Sequence, residues 1–322
     1  MSDLTGRAVG PGVGPGPGSA DGAELVSDHG PVGAPAVGDG GPVGAPGYSP
    51  RRTLPLAVEA IRQLRRRRTM IAFGILLVLP WILVGAFELS GNGASDSQTP
   101  GLVADATFGG LNFAGFAFFA SVGFLLVVAV ALFCGDTVAT EASWASLRYL
   151  LAAPVPRSRL LRQKLIVALG YSSVAVISLP LMALLAGTVA FGWHPLKLPA
   201  SGVQLSTGAA LGRLGIVLGY VLITELMVAS LAFLLSVCTD SPLGAVGGAV
   251  GLVIVSNILD AVTALGNWRQ LLPTHWQFSW LNMLQPQISW TAMIEGAAVS
   301  VSYAIVLFAL AFRRFGSKDI LS

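Results

Sequence analysis

Six stretches of this chain are long and apolar enough to cross a lipid bilayer, and they restrict the fold more than any other feature. They cover residues 70–89, 108–134, 165–191, 209–237, 242–265 and 293–312. About 20 helical residues span roughly 30 Å of hydrocarbon. Backbone polar groups find no water in lipid, so only helices or closed barrels can cross. The apolar runs are continuous rather than alternating, which excludes barrel strands. The expected fold class is all-α: a polytopic membrane protein with six transmembrane helices over residues 70–322. Charged residues make up only 11% of the chain, against about a quarter in soluble domains. The first apolar run begins near Met70, so no cleavable signal peptide is expected.

Residues 1–50 hold 14 of the 39 glycines and 8 of the 19 prolines, and GPVGAP occurs in them twice. Such a segment has little to bury against its ordering entropy, and a disordered tail is expected. Over residues 51–69 the pattern changes. Leu54, Val58, Ile61 and Leu64 recur at helical spacing, with Glu59, Arg62, Gln63 and Arg66 elsewhere on the wheel. The unbroken run Arg65–Arg68 abuts the first apolar stretch. This reads as an amphipathic helix lying in the membrane interface, with its cations near anionic headgroups. No aromatic-basic groove accompanies these cations, and no nucleic-acid partner is expected.

Counting from Arg51, fifteen Lys and Arg fall before the first span, between spans two and three, or after the last, whereas the opposite side holds Lys197, Arg213 and Arg269, and Arg7 lies in the tail. The positive-inside rule then places both termini in the cytoplasm, as an even number of spans requires. Cys134 and Cys238 fall at cytoplasmic span ends, where free thiols are expected.

The loop 135–164 is the most informative stretch. Trp144, Leu147 and Leu151 stand at i, i+3 and i+7, an apolar stripe on a short helix that Pro154 and Pro156 terminate. Ser158 is placed to cap a second helix leading into the third span. By spacing alone the first helix suits equally a position against the membrane and docking into a soluble partner.

The loop resembles the first intracellular loop of type-2 ABC transporter permeases. The matching positions are Glu141, Leu147, Leu150, Leu151, Pro154, Val155, Arg157, Leu160 and Lys164. The basic helix before the first span is similar to that family's connecting helix, and the ending Phe315 to Leu321 resembles its F-x-x-K-D-I tail. One departure is Ala145-Ser146 where the family usually has Gly-Thr. The resemblance implies the permease subunit of an ATP-driven exporter in the plasma membrane, paired with a second permease copy or paralogue. It also implies that Glu141, Trp144, Leu147, Arg148, Leu151 and Arg157 couple the chain to an ABC-type ATPase. No G-x-x-x-x-G-K-[ST] loop occurs in this chain. No cofactor is therefore expected on it, and ATP and Mg are expected on the partner subunit.

Glu225 lies near the middle of the fourth apolar stretch. An ionisable group at that depth costs at least about 2.5 kcal/mol unless it is protonated, paired or hydrated, which marks it as a candidate for the substrate path. A protonated carboxyl bonded to a neighbouring helix is the structural alternative. Gly244, Gly247, Gly248 and Gly251 form two overlapping small-xxx-small pairs in the fifth stretch, suited to intrachain packing or to a dimer seam. Pro180 is placed to kink the third span. Residues 266–290, with four Trp among Gln and Pro, read as a re-entrant or interface-lying hairpin with aromatic anchors. His29, His194 and His275 are isolated, and neither H-E-x-x-H nor G-x-S-x-G occurs, so the chain is not expected to be an enzyme. Two alternatives stand beside the exporter reading: a secondary transporter using Glu225 as proton carrier, and an intramembrane enzyme.

Overall fold

The computed structural model describes residues 56–90, 101–143 and 157–317. The expected tail, the loop tip with Trp144, Leu147, Arg148 and Leu151, and residues 318–322 lie outside the described residues. The helices are α1 (Leu56–Leu64), α2 (Arg67–Ser90), α3 (Gly101–Ala104), α4 (Gly110–Val122), α5 (Leu125–Ser143), α6 (Arg157–Phe191), α7 (Thr207–Cys238), α8 (Pro242–Ala261) and α9 (Thr291–Ser317). A two-residue antiparallel pair, β1 (Leu196–Lys197) and β2 (Gln204–Leu205), joins α6 to α7 with Leu196 opposite Leu205. Three short 3-10 runs, Thr263–Leu271, Pro273–Trp276 and Ser279–Leu284, connect α8 to α9.

Helices α2, α6, α7, α8 and α9 are each long and apolar enough to cross a membrane. Helices α4 and α5 reach that length only together, bent by 57° at their junction. The described chain is thus an all-helical, multi-pass membrane protein with five such helices, or six if the bent pair is one span. Apolar side chains point outward as well as inward. On α2, Ile71, Ile75, Val78 and Ile82 form an exposed stripe, while Leu76 on the other side is fully buried. Hydrocarbon solvates such a stripe as readily as a protein core does.

Helix α7 is central, packed on α5, α8 and α9. Its Val217, Val221, Met227, Val228, Ala232 and Phe233 are all buried. Glycines set two of the closest approaches. A Cβ on Gly187 of α6 would stand 2.8 Å from Phe113 and 3.0 Å from the Gly110 Cα of α4. One on Gly296 of α9 would collide with Tyr220 and lie 2.6 Å from Trp276 Cβ. The glycine pairs of α8 divide differently. Gly248 rests against Leu235 of α7, while Gly247 and Gly251 face open space.

Several boundaries differ from the sequence expectation. The second apolar stretch is not one straight helix, because it breaks at Gly123–Phe124. There the missing Gly123 side chain admits the ring of Phe278, 3.3 Å from where a Cβ would be, and the Val122 carbonyl accepts a side-chain bond from Gln277 at 2.9 Å. An inserted side chain at the carbonyl ladder is a recognised cause of a bend. The segment expected as one interfacial helix over 51–69 is helical at Leu56–Leu64, breaks at Arg65–Arg66, and rejoins as the first turn of α2. Helix α5 runs on to Ser143 and α6 begins at Arg157, well before residue 165, so both flanks of the loop are helical extensions of the bundle. Helix α8 ends at Ala261 rather than 265.

Candidate functional site

The short helix α1 presents its polar side to the bundle. Leu56, Val58, Ile61 and Leu64 remain exposed, whereas Gln63 is buried and donates through Nε2 to the Phe133 carbonyl at 3.2 Å. Tyr171 of α6 donates its hydroxyl to the Ala60 carbonyl at 2.8 Å. An amphipathic helix in this orientation offers its apolar face to lipid and its charged face to protein.

That charged face closes a ring of four alternating charges. Lys164 of α6 lies 2.5 Å from Glu141 of α5 and 3.0 Å from Glu59 of α1. Arg62 of α1 bonds Glu141 and lies 3.5 Å from Glu59. Lys164 and Glu141 are both buried, Arg62 is half exposed, and the ring carries no net charge. Burying charges costs several kcal/mol each unless partners repay it, and here each buried charge has two opposite partners.

One turn inward, Asp136 of α5 takes two more cations. Arg66 reaches its Oδ2 at 2.8 Å and Arg68 its Oδ1 at 3.0 Å. Arg66 also donates to the Asp136 carbonyl at 3.3 Å. Ser236 of α7 accepts the amides of Val138 and Ala139 through its Oγ, each at 3.0 Å. Arginines expected among lipid headgroups are therefore partly spent on protein carboxylates.

A second polar site lies deeper, where the segment after α8 doubles back along α7. Arg213 of α7 donates to the carbonyls of Met283 and Gln285, each at 2.9 Å, and the Tyr220 hydroxyl donates to the Trp276 carbonyl at 2.6 Å. Glu225 then meets the segment at a small cavity walled by Thr274 and Gln277. The twelve residues from Arg213 to Glu225 amount to about 18 Å of helix, so the segment penetrates deep beside α7. Trp276 and Trp280 are buried by this packing, whereas Trp268 and Trp290 stay exposed. Only the latter two fit the expected role of interface anchors.

Asp260 pairs with His275 at 2.6 Å and Arg269 at 3.4 Å. Ser256 and Thr274 share a hydroxyl bond of 2.7 Å. Cys134 is buried with its sulfur 3.6 Å from Ser172 Oγ, and Cys238 is exposed; both are free thiols. Among the described residues no three His, Cys, Asp or Glu side chains are grouped to hold a metal ion.

Of the residues named from sequence, Glu141 enters the ring and Arg157 opens α6. Glu225 is buried and lines the small, partly open cavity beside the returning segment. Sequence reasoning missed Glu59, Arg62, Asp136 and Gln277. A signal existed for Asp136, a lone acid at the base of an apolar run. Gln277 had none, since its role depends on the break at Val122.

Comparison with curated proteins finds no match. A family model described as a protein of unknown function (DUF2705) matches residues 101–321. Because that match runs from α3 past the end of α9, covering the bent pair, both flanks of the loop and the returning segment, the chain belongs to the DUF2705 family of proteins of unknown function.

Proposed function

We propose that this chain is the membrane subunit of an ATP-driven exporter, moved by a separate ATPase that grips the loop between α5 and α6. In this reading the bent pair α4–α5 is one span, giving six. The ring of charges lies on the cytoplasmic side of the plasma membrane with both chain ends. A second copy or paralogue completes the path. Two lines support the reading: the resemblance of residues 141–164 to the coupling loop of type-2 ABC permeases, and the ring itself.

The ring is the observation that carries the mechanism. Glu141 and Lys164 stand at the two flanks of the loop, and their 2.5 Å contact fixes one flank to the other. Glu59 and Arg62 fix both to α1, and Asp136 fixes α5 to the start of α2 through Arg66 and Arg68. A displacement at the loop tip is then delivered to α1, α2, α5 and α6 together, and through Ser236 to α7. A lever that drives several helices needs this kind of stiff base. A loop hinged freely at either flank dissipates the motion.

The test is co-purification. The full chain, co-expressed with an ABC-type ATPase from the same cell, is expected to carry that ATPase through affinity purification and to show no ATP hydrolysis alone. Trp144→Asp with Leu147→Asp is expected to abolish the association while leaving membrane insertion intact. Retention of the ATPase by that double variant counts against docking through this loop.

A further inference from the structure

Glu225 and Gln277 face each other's cavity with one oxygen each that lacks a donor. Glu225 is 5% exposed and Gln277 7%. Neither Glu225 Oε2 nor Gln277 Oε1 has a hydrogen-bond partner. The orientation of the Gln277 amide is fixed, because its Nε2 donates to the Val122 carbonyl at 2.9 Å. Turning the amide over would set oxygen against oxygen there. Its Oε1 is thereby the amide atom left without a partner.

Both groups offered to the cavity are acceptors, so its occupant must be electropositive. The cavity has room of only about 10 Å³ for such an occupant, about one water molecule. A water could donate to both oxygens, but the carboxylate charge would stay unpaired at depth, which costs several kcal/mol. A bare metal cation needs a fuller set of oxygen ligands. The nearby Thr224 hydroxyl spends its hydrogen on the Val221 carbonyl and has none left to donate to either oxygen. One proton meets both demands: it removes the charge and supplies the missing donor.

We propose that Glu225 and Gln277 share a single proton, carried on Glu225 Oε2 and donated to Gln277 Oε1, which latches the returning segment to the middle of α7. When the proton is taken from solvent, the site passes from one negative charge to none, with no other bond made or broken. Gln277 also holds the bend between α4 and α5, so the latch joins three elements at one side chain. Release of the proton leaves a bare carboxylate facing an amide oxygen, and the two repel.

The remaining cavity walls are Thr224, Met227 and Val228 of α7, Val253 of α8, and Pro273 and Thr274 of the segment. Among the described residues no further titratable or charged group lines it. His275, two residues before Gln277, is turned to Asp260, which also meets Arg269. The inference does not rest on an ATPase partner and stands or falls separately from the exporter reading.

Infrared spectroscopy of the purified full chain in lipid nanodiscs tests it. Wild type at neutral pH is expected to show the carbonyl band of a hydrogen-bonded carboxylic acid, and Glu225→Gln to lose that band while melting with wild type, since its amide still donates to Gln277. Gln277→Leu is expected to shift the band to the frequency of a free acid. Glu225→Asp, which withdraws the acid by one methylene but leaves Gln277 in place, should shift it likewise if the leucine variant does not fold. Absence of a Glu225-dependent band in wild type overturns the proposal. So does a band unmoved in both shortened and leucine variants, or one lost when sodium replaces choline in the buffer.

Discussion

Glu141 and Lys164, 23 positions apart in sequence, meet at 2.5 Å across the two flanks of the loop between α5 and α6. The contact is buried on both sides. It turns what would be two independent helix ends into one rigid base, and it gives the loop a defined origin on the bundle.

Removing one member of this pair is expected to cost more than removing both. Lys164→Met leaves Glu141 and Glu59 sharing the half-exposed Arg62, and stripping one partner from a buried ion pair costs up to about 3–5 kcal/mol. The double variant Lys164→Met with Glu141→Gln removes both buried charges and should recover a large part of that loss. Arg62→Met, at the exposed edge of the ring, is expected to cost about 1 kcal/mol or less. Thermal unfolding in detergent orders the four proteins. A double variant no more stable than Lys164→Met would show that the pair is not a coupled unit.

The two thiols report orientation. Cys238 is exposed at the end of α7 and Cys134 is buried. A membrane-impermeant maleimide is expected to leave the protein unlabelled in intact cells and to label Cys238 alone in inverted vesicles. Labelling of Cys238 from outside the cell would reverse the orientation proposed for the loop and remove the ATPase from reach.

Gly296 admits Tyr220 and Trp276 to the start of α9. Gly296→Val is expected to push the Tyr220 hydroxyl off the Trp276 carbonyl and to destabilise the protein by about 1–3 kcal/mol, the usual cost of overpacking. The melting temperature of the variant should fall. Gly251→Ala, at a position facing open space, should melt with wild type in the monomer.

Arg213 holds the returning segment by two carbonyls, Met283 and Gln285. Arg213→Met keeps the apolar stem and removes the charged donors, each worth about 1.5–3 kcal/mol. Amide hydrogen exchange over residues 279–290 should accelerate at least tenfold in this variant, with α7 itself little changed. Equal exchange in variant and wild type would mean the segment is held by packing alone.

The apolar spans were legible in the sequence because the bilayer sets one length for each of them, and α2, α6, α7, α8 and α9 answer to it. The bend at Gly123 was not. One glycine in an apolar run is common, and what makes it a break is Gln277, whose bond to the neighbouring Val122 carbonyl spans 155 positions. The ring of charges was half legible. Glu141 and Lys164 stood out as flanks of a loop, yet Glu59 read as an ordinary solvent-facing residue of an amphipathic helix. Its partner lies on another helix, and no local pattern shows which face of α1 meets protein. Glu225 stood out by its depth alone, but the amide oxygen opposite it did not, since Gln277 sits in a stretch without helical or strand periodicity.

The bond between Glu59 and Lys164 joins positions 105 residues apart. A ribosome adding about 5–20 residues per second makes α1 many seconds before its lysine exists. During that interval Glu59 has only Arg62 of its own helix and the lipid headgroups to shelter it. The helix's outward-turned leucines and isoleucine give it a resting place on the bilayer surface until α6 emerges, so the order of synthesis requires the first helix to wait for the closing charge.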